Sequence, residues 1–201
     1  MINIQKFGNH VKDIQPDFIF CTGDLNNAYP DDHDIDPGFK AAYRPPQTYD
    51  LMESFKTALP AEIPTFMIAG NHDLTSSPQF IHVDSYEKSW GQTYYHFRYG
   101  GRIFIAIESQ YYRSDDPGTV ALRNEQMAWL EELFQNMPKD EPKTVFQHAP
   151  LFVATAQETD SELDGKTVPK IERMKLLDLF CANSVTSIYS GSAFKIHCRR
   201  N

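Results

Sequence analysis

Three short runs in this chain end in side chains that bind metals or move protons. Asp17-Phe18-Ile19-Phe20-Cys21-Thr22 runs into Gly23-Asp24-Leu25-Asn26-Asn27, Phe66-Met67-Ile68-Ala69 stops at Gly70-Asn71-His72-Asp73, and Thr144-Val145-Phe146-Gln147 delivers His148-Ala149-Pro150. A carboxylate such as Asp24 can bridge two cations, at the ~3.5–4 Å separation that two-metal hydrolases use. The amide oxygen of Asn71 suits a hard or borderline divalent ion, and the imidazole of His148 suits iron, manganese or zinc. His72 points away if Asn71 faces a metal, and is then placed to contact a phosphate oxygen or protonate a leaving alkoxide. Each residue alone has a plainer explanation. A Gly-Asp turn caps a helix or loop, and a strand-end histidine is commonly a hydrogen-bonded core residue. Their order, at the ends of three apolar runs, is what chance supplies least readily.

An α/β fold builds a site in this way, with strands presenting ligands at their carboxyl ends. The apolar runs therefore read as buried strands, the second spanning Pro64 to Ala69 and ending in a tight Asn71-His72 loop. Around them the spacing predicts helices over Ile2–Gln15, Gln47–Leu59 (stopped by Pro60), Pro78–Trp90, Asn124–Gln135 and Val168–Ala182. Tyr94–Tyr99 and Arg102–Glu108, joined by Gly100-Gly101, predict a hairpin. Val185–Ser190 predicts a last strand ending at Gly191. His96 reads as a surface or core histidine. The stretch Tyr29–Gly38 lacks the glycine and glutamate frame of a calcium loop and reads, like acidic Gln157–Gly165, as a solvated loop. With no internal repeat or composition shift, residues 1–201 read as one α/β domain.

Composition narrows the possible functions. With 201 residues, 41% hydrophobic and 23% charged, the chain is an ordinary globular one with a sizeable core. Its 19 basic against 27 acidic residues, net −8, argue against a nucleic-acid or anionic-membrane partner. Cys21, Cys181 and Cys198 form no C-x-x-C pair and read as reduced thiols, Cys21 inside the core. No signal segment or membrane-length apolar run is present. The expectation is a cytoplasmic monomer.

Together these runs resemble the calcineurin-like metallophosphoesterases, whose blocks are D-x-H/Q, G-D-x-x-N/D, G-N-H-D/E, a strand-end His, and G-H-x-H. Gly23-Asp24-Leu25-Asn26-Asn27, Gly70-Asn71-His72-Asp73 and His148 match the middle three. Phe20–Leu25, Trp90-Gly91, Ser109-Gln110-Tyr111-Tyr112 and Phe146–Phe152 are similar to a subgroup regarded as serine/threonine protein phosphatases. The resemblance implies a four-layer α-β-β-α sandwich of mixed sheets flanked by helices, incomplete in this chain. It implies hydrolysis of phosphomonoesters, with phosphorylated protein as one substrate class, and two divalent ions (manganese, iron or zinc). Asp24 would bridge both ions, Asn71 and His148 would bind the second, and His72 would be the catalytic histidine. Asn27 would stand where phosphatases of the family carry an Asp that orients that histidine.

Two blocks depart from the pattern. No D-x-H or D-x-Q precedes Gly23, and the chain opens on a helix where an α/β protein normally has a strand first. This predicts truncation at both ends and loss of the first metal's ligand set, leaving one ion or none firmly held. At the other end, Gly191 is followed by Ser192-Ala193-Phe194-Lys195-Ile196 before His197-Cys198-Arg199. One reading makes His197 the displaced ligand of the second metal; the other makes it a chance histidine in an out-of-register tail. The expectation therefore divides between a metal-dependent phosphatase and a catalytically impaired, phosphate- or protein-binding variant.

Overall fold

The computed structural model describes residues 4–25, 54–55, 57–161, 166–191 and the backbone of 195–196. Asn27, His197, Cys198, the loop Tyr29–Gly38 and most of the helix expected over Gln47–Leu59 lie outside these residues; 54–55 and 57–58 are helical.

The chain enters on α1 (Ile4–Ile14), as its periodicity requires, and Gly8 lies so close to Ala58 that a Cβ there would sit 2.2 Å from the Ala58 carbonyl oxygen. Strand β1 (Ile19–Cys21) pairs in parallel with β2 (Thr65–Met67), Phe20 opposite Phe66. The turn α2 (Asn71–Leu74) and helix α3 (Phe80–Trp90) follow. A second sheet has the order β3 (Tyr95–Tyr99), β4 (Arg102–Ala106), β5 (Lys143–Gln147), β6 (Val185–Ser190) and β7 (Lys195–Ile196). Its outer pairs are antiparallel and its inner pairs, β4 with β5 and β5 with β6, are parallel. A 3-10 turn (Ser109–Arg113) and α4 (Pro117–Gln135) carry the chain from β4 to β5, and α5 (Lys170–Ala182) from β5 to β6.

Strand alternation makes the layers. Ile103, Ile105, Val145, Val185 and Ile188 face Leu130, Leu133, Phe134, Leu176 and Phe180 of α4 and α5 in one buried cluster. The neighbours between them, Phe104, Phe146 and Tyr189, face the other way with Phe97. There they meet the first sheet: Phe20 stacks on Phe146 and Phe66 on Phe97, both at 3.8 Å between ring centres. Phe18 sits edge-on to Phe66, Phe97, Tyr99 and Phe104. Ile19 turns outward to Val11 of α1, with Leu59 and Ile63. The sequence α1, first sheet, aromatic layer, second sheet, α4 and α5 is the expected α-β-β-α order.

Beyond shifts of one or two residues at several element ends, three differences from the sequence reading stand out. Asn71-His72 belongs to a helical turn rather than a loop, too short for any periodicity to reveal. Strand β4 ends at Ala106, so Glu108 lies beyond it. Helix α4 starts at Pro117 rather than Asn124. Its first turns hold Gly118 and no apolar period, and they form because Asp116 caps them, accepting from Thr119 N–H at 3.0 Å, with proline in the first turn. The described part of the acidic loop is largely exposed, as expected, and within it Glu158 accepts the N–H groups of Val153 and Ala154. Cys21 and Cys181 are free thiols, Cys21 half-buried rather than fully in the core, and His96 is exposed. None of the helices among the described residues is long and apolar enough to cross a membrane.

Candidate functional site

The ends of β1, β2 and β5 converge. Gly23 (φ 95°) and Asp24 (φ 57°) both adopt left-handed backbone, a conformation that costs a non-glycine residue of order 1 kcal/mol or more. This strained pair turns the Asp24 side chain toward Asn71 and His148. Its Oδ1 accepts the N–H of His72 at 3.0 Å and lies 3.4 Å from Nε2 of His148. Asn71 Oδ1 lies 2.9 Å from the same nitrogen. On the other side of the ring, Nδ1 lies 2.7 Å from the Thr22 carbonyl oxygen, which can only accept. Nδ1 therefore carries the proton, and the Nε2 of a neutral ring turns its lone pair toward two oxygen acceptors. Three acceptors facing one another require a proton or a cation among them. A carboxylate, an amide oxygen and an imidazole make a mixed hard and borderline donor set that fits manganese, iron or zinc.

Only Asp24 and His148 of this trio are acid or histidine ligands. Among the described residues no group of three or more His, Cys, Asp and Glu side chains is gathered for a metal. The Asp24 side chain keeps 37% of its exposure while that of His148 keeps 3%, so the donors form a surface on the solvent side and a wall behind it. His72 is half-buried in α2, beside Asn71.

Four features of this arrangement were not assigned a role from sequence. Asp73 is buried and gathers three backbone donors: Asp24 N–H and Gly70 N–H at 2.8 Å and Leu25 N–H at 3.1 Å. Its position three residues past the cap residue Gly70, reaching back to the cap N–H, is a capping-box signal readable in the sequence. The Thr22 carbonyl that sets the His148 tautomer has no sequence signature. Gly191 leaves room for that contact; a Cβ there would sit 2.4 Å from Thr22 O and 2.7 Å from His148 Nδ1. The fourth is Glu108, fully buried behind α2, whose carboxyl burial pushes well above its ordinary value of 4.5.

A raised carboxyl in the folded chain holds a proton that the unfolded chain releases. Its contribution to stability is therefore full at low pH and falls as pH rises through and beyond 4.5. Glu108→Gln removes the titration, and should gain on the wild type in unfolding free energy from denaturant titration as pH rises from about 5 to about 8, by at most ~1.4 kcal/mol per pH unit. A gap that stays constant with pH would rule this out.

The chain matches the family described as calcineurin-like phosphoesterase over residues 2–191. It is similar to "Serine/threonine-protein phosphatase CPPED1" of Rattus norvegicus, with 30% identity over 189 residues, 93% of this chain and 54% of that protein. The protein of the same name from Pongo abelii is 31% identical over 189 residues, with the same coverage. That from Danio rerio is 31% identical over 190 residues, covering 93% of this chain and 55% of the relative. The chain thus spans about half the length of the curated relatives it matches.

Proposed function

Because this chain belongs to the calcineurin-like phosphoesterase family, we propose that it is a metal-dependent phosphatase acting on phosphomonoesters, with phosphoserine and phosphothreonine of proteins as the substrate class. The observation that carries this reading is the convergence of Asp24 Oδ1, Asn71 Oδ1 and His148 Nε2, from three separate strand ends, on one point. Calcineurin-like phosphoesterases use divalent metals. These three side chains are the ones that would hold an ion here, and the described residues supply donors for one. When bound, such an ion offsets charge on phosphoryl oxygens and makes water a competent nucleophile at neutral pH.

The chain's own groups do the remaining work. The Thr22 carbonyl accepts from Nδ1 of His148 and so orients the ring with Nε2 toward the site. Asp24 accepts the His72 main-chain N–H, which ties the two turns together and keeps His72 next to the donors. From there His72 can donate to a phosphoryl oxygen or to the departing alkoxide. The protein-phosphatase substrate class is supported by the names of the relatives alone. A cytoplasmic, monomeric setting remains a proposal resting on composition.

The small donor set favours a second reading, a phosphatase-like fold that binds one ion or none and a phosphorylated ligand without turnover. Manganese, iron and zinc content, measured beside hydrolysis of a generic aryl phosphate, separates the two. The enzyme reading expects manganese-dependent turnover, lowered roughly 10²-fold by His72→Ala. One ion or fewer with no turnover would overturn it in favour of the binding variant.

A further inference from the structure

Beyond β5 the chain turns through His148-Ala149-Pro150-Leu151, four buried residues outside any helix or strand. Buried backbone of this kind must find its hydrogen bonds away from regular structure, and each of the four carbonyls has a separate donor. That of His148 accepts from Gly191 N–H at 3.1 Å, and that of Ala149 from Nε2 of Gln147 at 2.8 Å. That of Pro150 accepts from Val168 N–H at 3.0 Å, and that of Leu151 from Nη1 of Arg173 at 3.0 Å. The Ala149 N–H goes to Ser109 Oγ at 2.8 Å. Resting on the assignment of Asp24, Asn71 and His148 to a metal, we propose that Arg173 and Gln147 are positioning residues, whose side chains mould this turn and so set His148 against the other two donors.

Arg173 lies on α5 and is fully buried. Burying a guanidinium is costly, and a side chain whose task was only to fill the core would be apolar. Its hydrogen-bond acceptors are both main-chain oxygens, those of Leu151 and Glu158. The Glu158 carboxylate in turn accepts Val153 N–H at 2.9 Å and Ala154 N–H at 2.8 Å. Arg173 therefore holds the turn at Leu151 and, through Glu158, the segment that folds back after it. Gln147 works at shorter range: β6 fixes its backbone, and its side-chain amide reaches two residues ahead to Ala149. The two side chains grip the turn on either side of Pro150, and the His148 ring enters the site from a backbone held at every carbonyl. Groups that orient a metal ligand in this way typically govern affinity by about 10- to 100-fold.

The test uses the full chain as Arg173→Met and Gln147→Met, apolar replacements that cannot donate. Phe180→Leu, further along α5 where Phe180 packs edge-on to Phe134, is the control for lost stability. Manganese affinity is measured by titration, amide hydrogen exchange is followed without metal, and melting is recorded for all three. Arg173→Met and Gln147→Met should each weaken manganese about tenfold. Both should quicken exchange at Ala149 and Val168, and Arg173→Met also at Val153 and Ala154, with the interior of β4 and β5 unchanged. Phe180→Leu should lower the melting temperature and leave manganese affinity and those amides as in the wild type. Wild-type affinity or wild-type exchange in either methionine variant, or the same losses in Phe180→Leu, would overturn the proposal. If the wild type binds no manganese, the metal assignment falls, and exchange alone decides whether these side chains hold the turn. If Arg173→Met does not fold, Gln147→Met decides on the same outcomes.

Discussion

Asp73→Ala is expected to destabilise the chain by roughly 3–5 kcal/mol and to abolish metal binding at the site. The carboxylate is buried and satisfies three main-chain donors, on Asp24, Leu25 and Gly70. Removing it orphans all three, at about 1–3 kcal/mol for each donor that water cannot reach. It also frees the β1 turn from the β2 turn, and the left-handed Asp24 loses what holds it in that conformation. For a chain of this size, a loss of that order should lower the melting temperature by about 10 °C or more. Asp73→Asn keeps an acceptor oxygen and should recover part of the loss. A melting temperature within a few degrees of wild type, with manganese affinity intact, would show that the carboxylate holds nothing together.

Gly70→Ala should do the opposite, keeping the fold and losing the site. A methyl on Gly70 would lie 2.3 Å from Asp24 Oδ1, 2.5 Å from Asp24 N and 2.7 Å from His148 Cε1. Overpacking of this kind costs about 1–3 kcal/mol, which the core can absorb. The atoms it displaces, however, are those of the donors. Manganese affinity should fall on the order of 100-fold, a loss of the size seen when groups that orient metal ligands are disturbed. Gly191→Ala, pressing on Thr22 and His148 from the other side, should act alike. Titration beside thermal melting separates the two effects; unaltered affinity in both variants would mean that the close approach does not position the donors.

Much of this site was readable because each donor directly follows the apolar run that carries it, so type and position arrive together. Asp24, Asn71 and His148 were named on that basis, and the structure brings their side chains within hydrogen-bonding distance of one another or nearly so. What stayed hidden depends on partners remote in sequence. Asp73 shows its importance only once residue 24 lies beside it, 49 positions away. Gly191 read as a strand end, and its contact with Thr22 needs the two sheets packed face to face. The phenylalanines at alternate strand positions signalled burial but not that rings from two sheets stack in one layer. Helix α4 was cut short because a cap and a proline, rather than periodicity, build its first turns. Glu108 was read as the last residue of a strand, where a carboxylate would ordinarily face water.

The distances along the chain between these partners also bear on when the site can exist. His148 meets Thr22 across 126 positions and Asn71 across 77, whereas the β3–β4 hairpin closes through Gly100-Gly101 alone. Loop-closure entropy rises only logarithmically with length, but the donors face one another only when both long loops are closed at once. In kinetic terms the site is a junction of high contact order laid on a partly local sheet. During refolding, manganese capture should lag the recovery of β-sheet signal. Simultaneous recovery of the two would show that the strand ends meet as early as the hairpin forms.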